Sequence, residues 1–289
     1  SDLLWWFEGG TSWLGDMLCV RSGAWTEEDW RKDFLRKMKR HTGRNGMAFE
    51  SLTESSHDAW IHLYRGHAFS RETQISYYLE GELTMMELDM ELRKRSKGAN
   101  GVCDLMALLC ERHALECEPT MRLGVTHADI RKALTSMKGG GRLGAMLDRM
   151  VNRKQAPDME RTMAYFGLKL EPEHPIKEGE VQSAWLGLNL SMKAGKVTVS
   201  THMAASPLRM TLMPGDEIIA IDGRRTANMK SLESALKGKI GREVKLTYAH
   251  EGMLCTFSIT LPAAPRHDVK LSGKGNQKWR DYIATRQGK

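Results

Sequence analysis

The sequence predicts an α+β chain of two domains, helical first and β-rich second. Three observations carry this. Apolar residues recur at helical spacing from the start to about residue 166. From about residue 181 the pattern shortens to alternating, strand-like runs. Between them stands Glu171-Pro172-Glu173-His174-Pro175, whose two prolines favour extended backbone and mark a linker over 167–180. The chain has 289 residues, enough for about two domains of ~100–150 residues. Hydrophobic residues make up 41% and charged residues 27%, the balance of a globular protein. No apolar run approaches the ~18–20 residues of a membrane-spanning helix. Five cysteines are too few and too scattered for a disulfide scaffold, which favours a reducing or indifferent compartment.

The helices follow in order. Thr26-Glu27-Glu28-Asp29 is a capping box, with Trp30, Phe34 and Met38 along one face behind it. Tyr77 to about Arg95 forms the clearest helix. Leu79, Leu83, Met86 and Met90 make its apolar stripe, and Glu80, Glu87, Glu91 and Arg95 lie off it. Val102, Leu105, Met106 and Leu109 mark another. Thr126-His127-Ala128-Asp129 caps a helix that buries Ile130, Leu134 and Met137 and stops at Gly139-Gly140-Gly141. Two short helices follow, Leu143–Met150 and Met159–Phe166, the second ended by Gly167. In the second domain, Val197 and Val199 alternate with polar residues. Ile218–Ile221 is a buried strand closed by Asp222-Gly223. Val244, Leu246 and Tyr248 pair across a His250-Glu251-Gly252 turn with Leu254–Leu261. Ser231–Leu236 reads as a helix. Residues 264–289 read as a basic tail that Trp279 and Tyr282 could anchor.

The net charge is +7, and residues 266–289 contribute +5 of it, so the two domains are nearly balanced. That gives no support to nucleic-acid binding, which needs a basic face organised on a fold. The chain opens Ser1-Asp2-Leu3-Leu4-Trp5-Trp6-Phe7, five bulky apolar residues within seven, and has no basic segment leading to a small-residue cleavage site. Exposed termini are usually polar. The expectation is a chain cut from a larger cytoplasmic or periplasmic protein, with any export signal further upstream.

Leu212-Met213-Pro214-Gly215-Asp216-Glu217-Ile218-Ile219-Ala220-Ile221-Asp222-Gly223 resembles the PDZ-domain signature. Trp185-Leu186-Gly187-Leu188, about 25 residues upstream, resembles the PDZ carboxylate-binding loop. The resemblance covers residues 181–263. It implies that Leu186, Gly187 and Leu188 turn backbone N–H groups toward a peptide's C-terminal carboxylate. The peptide would add as a strand beside Leu188-Asn189-Leu190, with the Ser231–Leu236 helix as the other wall.

Three strings in residues 1–166 point to one further family. They are Trp6-Phe7-Glu8-Gly9-Gly10-Thr11, Leu52-Thr53-Glu54-Ser55-Ser56-His57-Asp58-Ala59-Trp60 and Ser76-Tyr77-Tyr78-Leu79-Glu80-Gly81. They are similar to segments of the glycyl aminopeptidases, thermolysin-like zinc peptidases of the gluzincin type that carry a PDZ domain after the catalytic helices. The resemblance implies that residues 1–166 are the all-α C-terminal lobe of a thermolysin-like catalytic domain. It implies that Glu8 is a zinc ligand and that Tyr78, with Tyr77 as the alternative, donates to the tetrahedral oxyanion. Its implied substrates are peptides with N-terminal glycine or another small residue. Two departures stand out. Glu80 occupies a position where the family carries lysine, and no His-Glu-x-x-His occurs in these 289 residues. Two histidine ligands and the general base would then come from upstream, and this fragment alone would be inactive. The alternative is a non-catalytic PDZ protein that captures peptides.

Other suggestive residues have plainer readings. Cys103, Cys110 and Cys117 recur every seven residues, two helical turns apart, too far to share one zinc from a straight helix. Buried small residues are expected there. His57, His62 and His67 are spaced by five, which rotates them around a helix, so surface positions are expected. The 19 methionines mostly sit at stripe positions and read as core.

Overall fold

The computed structural model describes residues 1–115, 124–173 and 182–284. A π-helical turn, Trp5–Gly9, runs without a break into α1, Gly10–Arg21. Then come α2 (Glu27–Thr42), α3 (Leu52–His57), α4 (Ser70–Thr73) and the long α5 (Tyr77–Ser96). The helical unit continues through α6 (Val102–Cys110), α7 (His127–Ser136), α8 (Leu143–Asn152) and α9 (Met159–Tyr165). The expected capping boxes form, with Thr26 accepting from the Asp29 N–H and Thr126 from the Asp129 N–H. Each satisfies backbone donors that a helix start leaves orphaned.

The helix α5 is the axis of this unit and departs from the amphipathic reading. Glu80, Glu82, Glu87, Asp89 and Glu91 are all buried with the apolar stripe. Charges tolerate burial only when paired, and neighbouring elements supply the partners. His41 binds Glu80 at 2.7 Å and Arg161 binds Glu87 at 2.8 Å and Glu91 at 2.9 Å, whereas Asp89 is paired within α5 by Arg93. Burial disfavours the His41 charge, but the bond to Glu80 outweighs it and holds the imidazole above its ordinary value. A lysine in place of Glu80 would leave the His41 imidazole without its carboxylate partner.

Lys37 gathers Asp16, Asp33 and Glu82, the last at 2.6 Å. Lys37 is shared among three carboxylates, of which Glu82 is buried and Asp16 and Asp33 are half-buried. Burial pushes Glu82 up to about 8, against the pull of the Lys37 charge. The folded chain therefore holds a proton on Glu82 that the unfolded chain releases near pH 4.5. Stability should fall as pH rises through that window. Glu82→Gln is expected to flatten the slope between pH 5 and 8 and to be more stable than the parent at pH 8 by about 1–3 kcal/mol. Urea unfolding across that range checks it, and an unchanged slope would refute the assignment.

The second unit is a sheet in the order β2-β3-β4-β6-β7, with β5 beside β4. Its strands are β2 (Leu188–Lys193), β3 (Lys196–His202), β4 (Glu217–Ile221), β5 (Arg224–Arg225), β6 (Glu243–His250) and β7 (Met253–Thr260), all antiparallel to their neighbours. The helix α10, Met229–Leu236, buries Leu232 and Leu236 against the sheet. Asp222 and Gly223, both at positive φ, make the β4–β5 turn that the sequence announced.

The linker and tail expectations need correction. Lys169–Pro172 is a strand (β1) paired antiparallel with Val269–Ser272 (β8), so part of the expected linker is sheet. His174 and Pro175 lie outside the described residues. Gln277–Ile283 forms α11. Trp279 and Tyr282 are fully buried in the helical core. Trp279 packs on Trp30 at 4.8 Å and donates to Glu27 at 3.0 Å, and Tyr282 accepts from the Trp13 indole at 2.9 Å. Residues 269–283 are thus a closing piece of the helical unit rather than a solvated tail, and the β-rich unit is inserted between β1 and β8. The two units also touch directly. The His202 N–H donates to the Ala68 carbonyl at 3.0 Å, and its ring stacks on Phe69 at 4.8 Å.

Cys110 is exposed and Cys103 half-buried, against the expected burial, because α6 turns Val102, Leu105 and Leu109 inward instead. Cys117 lies outside the described residues. The methionine expectation holds in the helical unit, where Met17, Met38, Met85, Met86, Met90, Met159 and Met163 are buried, but Met192, Met210, Met213, Met229 and Met253 are exposed on the β-rich unit. Among the described residues, no helix is long and apolar enough to cross a membrane.

Candidate functional site

The three strings singled out in the sequence meet in space. The Trp5 N–H, just ahead of the first string, donates to the Ser56 hydroxyl on α3 at 2.9 Å. The π-helical turn crosses α5 with almost no separation at two glycines. A Cβ on Gly9 would lie 2.6 Å from the Gly81 backbone, and one on Gly81 would lie 2.7 Å from the Trp5 carbonyl oxygen. Only a residue without Cβ allows that approach at each position. Glu8 and Tyr78 thereby sit on two backbones held in contact.

The local fold of the first string follows from its polar residues. The Glu8 carbonyl accepts from Thr11 at 3.1 Å and from Ser12 at 2.8 Å. These hydroxyls supply donors where the π-turn passes into α1 and the regular ladder is interrupted. π-turns inside helices are frequent at functional sites. The Glu8 carboxylate is half-buried, and among the described residues it accepts no hydrogen bond and forms no ion pair. Its charge nonetheless reaches the hydroxyls of Tyr64 and Tyr78.

Three tyrosines converge beside it. The Tyr64 hydroxyl lies 3.3 Å from that of Tyr77 and 3.5 Å from that of Tyr78. The bond to Tyr64, partial burial and the Glu8 charge raise Tyr78 above the ordinary phenol value. Burial and the same partner raise Tyr77, whereas accepting from both lowers Tyr64. Tyr78 thus keeps its proton at neutral pH and can donate it in a hydrogen bond. Tyr77 is 1% exposed, but Tyr78 is only partly covered. Of the two, Tyr78 has the accessible hydroxyl.

Phe7, Trp60, Ile61 and Tyr64 are exposed around this point, with Trp60 stacked on Tyr64 at 5.0 Å. Among the described residues, no group of three or more His, Cys, Asp or Glu is placed to hold a metal ion. Glu8 therefore fits a metal as a single carboxylate ligand, lacking any protein cation, and the rest of a zinc set would have to come from elsewhere. His57 and His67 are exposed as expected, whereas His62 is half-buried and bonded to the buried Glu50 at 2.7 Å.

The β-rich unit carries a second candidate site. Gly187 has φ +69°, and a Cβ there would fall 2.7 Å from Ser206 Cα, so both conformation and space call for glycine. The N–H groups of Leu186 and Gly187 have no acceptor among the described residues. Leu188 begins β2, an edge strand of the sheet. Residues 182–184 bond to the end of α10, through Gly238 N–H to Gln182 and Ala184 N–H to Leu236. Loop, edge strand and helix are thus neighbours.

Sequence reasoning missed Tyr64 and the Gly9–Gly81 crossing. Nothing in the Trp60–Tyr64 spacing marks Tyr64 as a partner of Tyr78. The two Glu-Gly pairs, Glu8-Gly9 and Glu80-Gly81, were the available signal for the crossing.

Residues 1–84 match the family model of the M61 glycyl aminopeptidases, and residues 184–261 match that of the PDZ domain. The comparison with curated proteins returned no match. Among solved structures, an aminopeptidase N family protein from Idiomarina loihiensis aligns over 98% of this chain and 49% of its own, at 22% identity and TM-score 0.82. The chain thus spans about half the length of that protein and shares its fold. The HtrA-type protease AlgW also matches. With a decapeptide, its S227A form covers 30% of this chain and 31% of its own at 18% identity and TM-score 0.28. AlgW without that substitution, with a tripeptide, covers 31% of this chain and 34% of its own at 17% identity and TM-score 0.28. The chain thus joins a segment that matches the M61 glycyl aminopeptidase family, residues 1–84, to one that matches the PDZ domain, residues 184–261.

Proposed function

We propose that these residues are the C-terminal part of a zinc-dependent aminopeptidase that releases N-terminal glycine or other small residues, with a PDZ module that takes a peptide C-terminus. One observation carries the reading. A half-buried carboxylate without a protein cation, Glu8, lies beside the proton-bearing hydroxyl of Tyr78 on two backbones in contact. Glu8 would hold zinc as its carboxylate ligand. Zinc, when bound, lowers the pKa of water and polarises a carbonyl. Tyr78 donates a hydrogen bond to the oxygen on which negative charge develops, and Tyr64 positions its hydroxyl. The exposed Phe7 and Trp60 side chains supply an apolar rim. As two histidine ligands and a general base are not among these residues, the fragment alone should be inactive. At the PDZ, the free Leu186 and Gly187 N–H groups receive the carboxylate, and the peptide extends along β2.

The test uses the full-length protein and a chromogenic glycyl substrate. Glu8→Gln should lower the bound zinc measured after dialysis against a weak chelator. Tyr78→Phe should keep zinc and lose about 100- to 1000-fold in kcat, the usual effect of removing one oxyanion donor. Full zinc affinity in Glu8→Gln, or turnover insensitive to chelator, would overturn the reading.

A further inference from the structure

The helical unit carries a concavity far from Glu8 and Tyr78, between the end of α5 and the α7–α8 pair. It is an open hollow of about 550 Å³, a volume within the range of small-molecule sites. Arg95, Arg131, Arg142 and Arg149 line it together with the turn at Gly141. Two carboxylates answer these four guanidinium groups. Arg95 uses its Nε on Glu91 at 3.1 Å, and Arg131 its Nε on Asp148 at 3.0 Å. Their terminal amino groups remain available. Arg142 and Arg149 are exposed and form no ion pair among the described residues.

Two uncompensated guanidinium charges therefore share one hollow with two half-used ones. Like charges gathered in this way favour an anion between them. The walls are built to keep the hollow narrow. At Gly144 a Cβ would lie 2.8 Å from the Thr135 methyl and 3.2 Å from the Arg131 side chain, so glycine lets α8 close on α7. The first turn of α8 also has no side-chain cap, which adds partial positive charge on the same side.

We infer that this concavity binds a small molecule bearing a diphosphate group. Guanidinium forks match phosphoryl oxygens two at a time. A diphosphate presents two adjacent anionic groups, one for each unpaired arginine, and a lone carboxylate or chloride would leave one of them unanswered. The site is independent of the peptidase reading and does not require zinc.

Calorimetric titration of the 289-residue chain with inorganic pyrophosphate in 150 mM NaCl tests it, a salt level that screens diffuse surface attraction. The expected result is saturable binding at one site per chain, weakened at least about tenfold in Arg142→Ala/Arg149→Ala. Arg242→Ala/Arg266→Ala, remote from the concavity, should bind as the parent does. Circular dichroism monitors folding, and Arg142→Lys/Arg149→Lys, which keeps charge but loses the fork, should also weaken binding. Absence of saturable binding, equal binding by the Arg142/Arg149 variants, or tighter binding of a triglutamate peptide than of pyrophosphate would overturn the inference.

Discussion

Gly81→Ala should destabilise the helical unit by about 2–4 kcal/mol, and Gly9→Ala by a similar amount. In an exposed helix the same change gains up to about 1 kcal/mol from propensity. Here the contact decides the sign. The new methyl group meets backbone on the facing helix, 2.6 to 2.7 Å away, and backbone cannot swing aside as a long side chain could. The helices must part, and the parting separates Glu8 from Tyr78. Urea unfolding of either variant measures the loss. A variant as stable as the parent would show that the crossing is looser than described.

Removing residues 266–289 should cost more. The truncation deletes Trp279 and Tyr282, both fully buried, and with them the β8 partner of β1. Trp279→Ala alone is expected to cost about 3–5 kcal/mol, as large aromatic truncations in cores do. The loss includes its packing on Trp30 and Phe166 and its bond to Glu27. The truncated chain also strands the Trp13 indole N–H and leaves Arg21 without the Tyr282 carbonyl, to which it donates at 2.9 and 3.0 Å. Loss of near-ultraviolet dichroism from the helical unit, with the β-rich unit still folded, is the expected signature. A truncated chain with parental stability would contradict the closing role of this segment.

What could be read without coordinates was whatever local chemistry controls. Thr26 with Asp29 and Thr126 with Asp129 announce helix starts because both partners lie within one turn. Asp222-Gly223 announces its turn because few other residue pairs accept that backbone. The acids of α5 mislead for the opposite reason. Their partners Lys37, His41 and Arg161 lie on α2 and α9, distant in sequence, so nothing local distinguishes a solvated glutamate from one buried in an ion pair. The candidate site divides the same way. Glu8 and Tyr78 each stood out within a short string. Their closeness, and the part played by Tyr64, depended on two glycines 72 residues apart in the chain. Trp279 and Tyr282 could be suspected as anchors, but the charge around them pointed toward solvent.

The pairing of β1 with β8 sets a schedule for making the protein. A ribosome releases the helices of residues 1–166 and then the whole PDZ domain before it completes Val269–Ser272 and α11. The PDZ core, drawn from residues 184–261, is complete within its own stretch of chain and can close during synthesis. The helical unit cannot, because the indoles of Trp13 and Trp30 wait for Tyr282 and Trp279, which follow the PDZ domain in the chain. A product interrupted late in translation would carry a finished PDZ domain beside an open aromatic core, and cellular proteases would meet it as an unfinished chain.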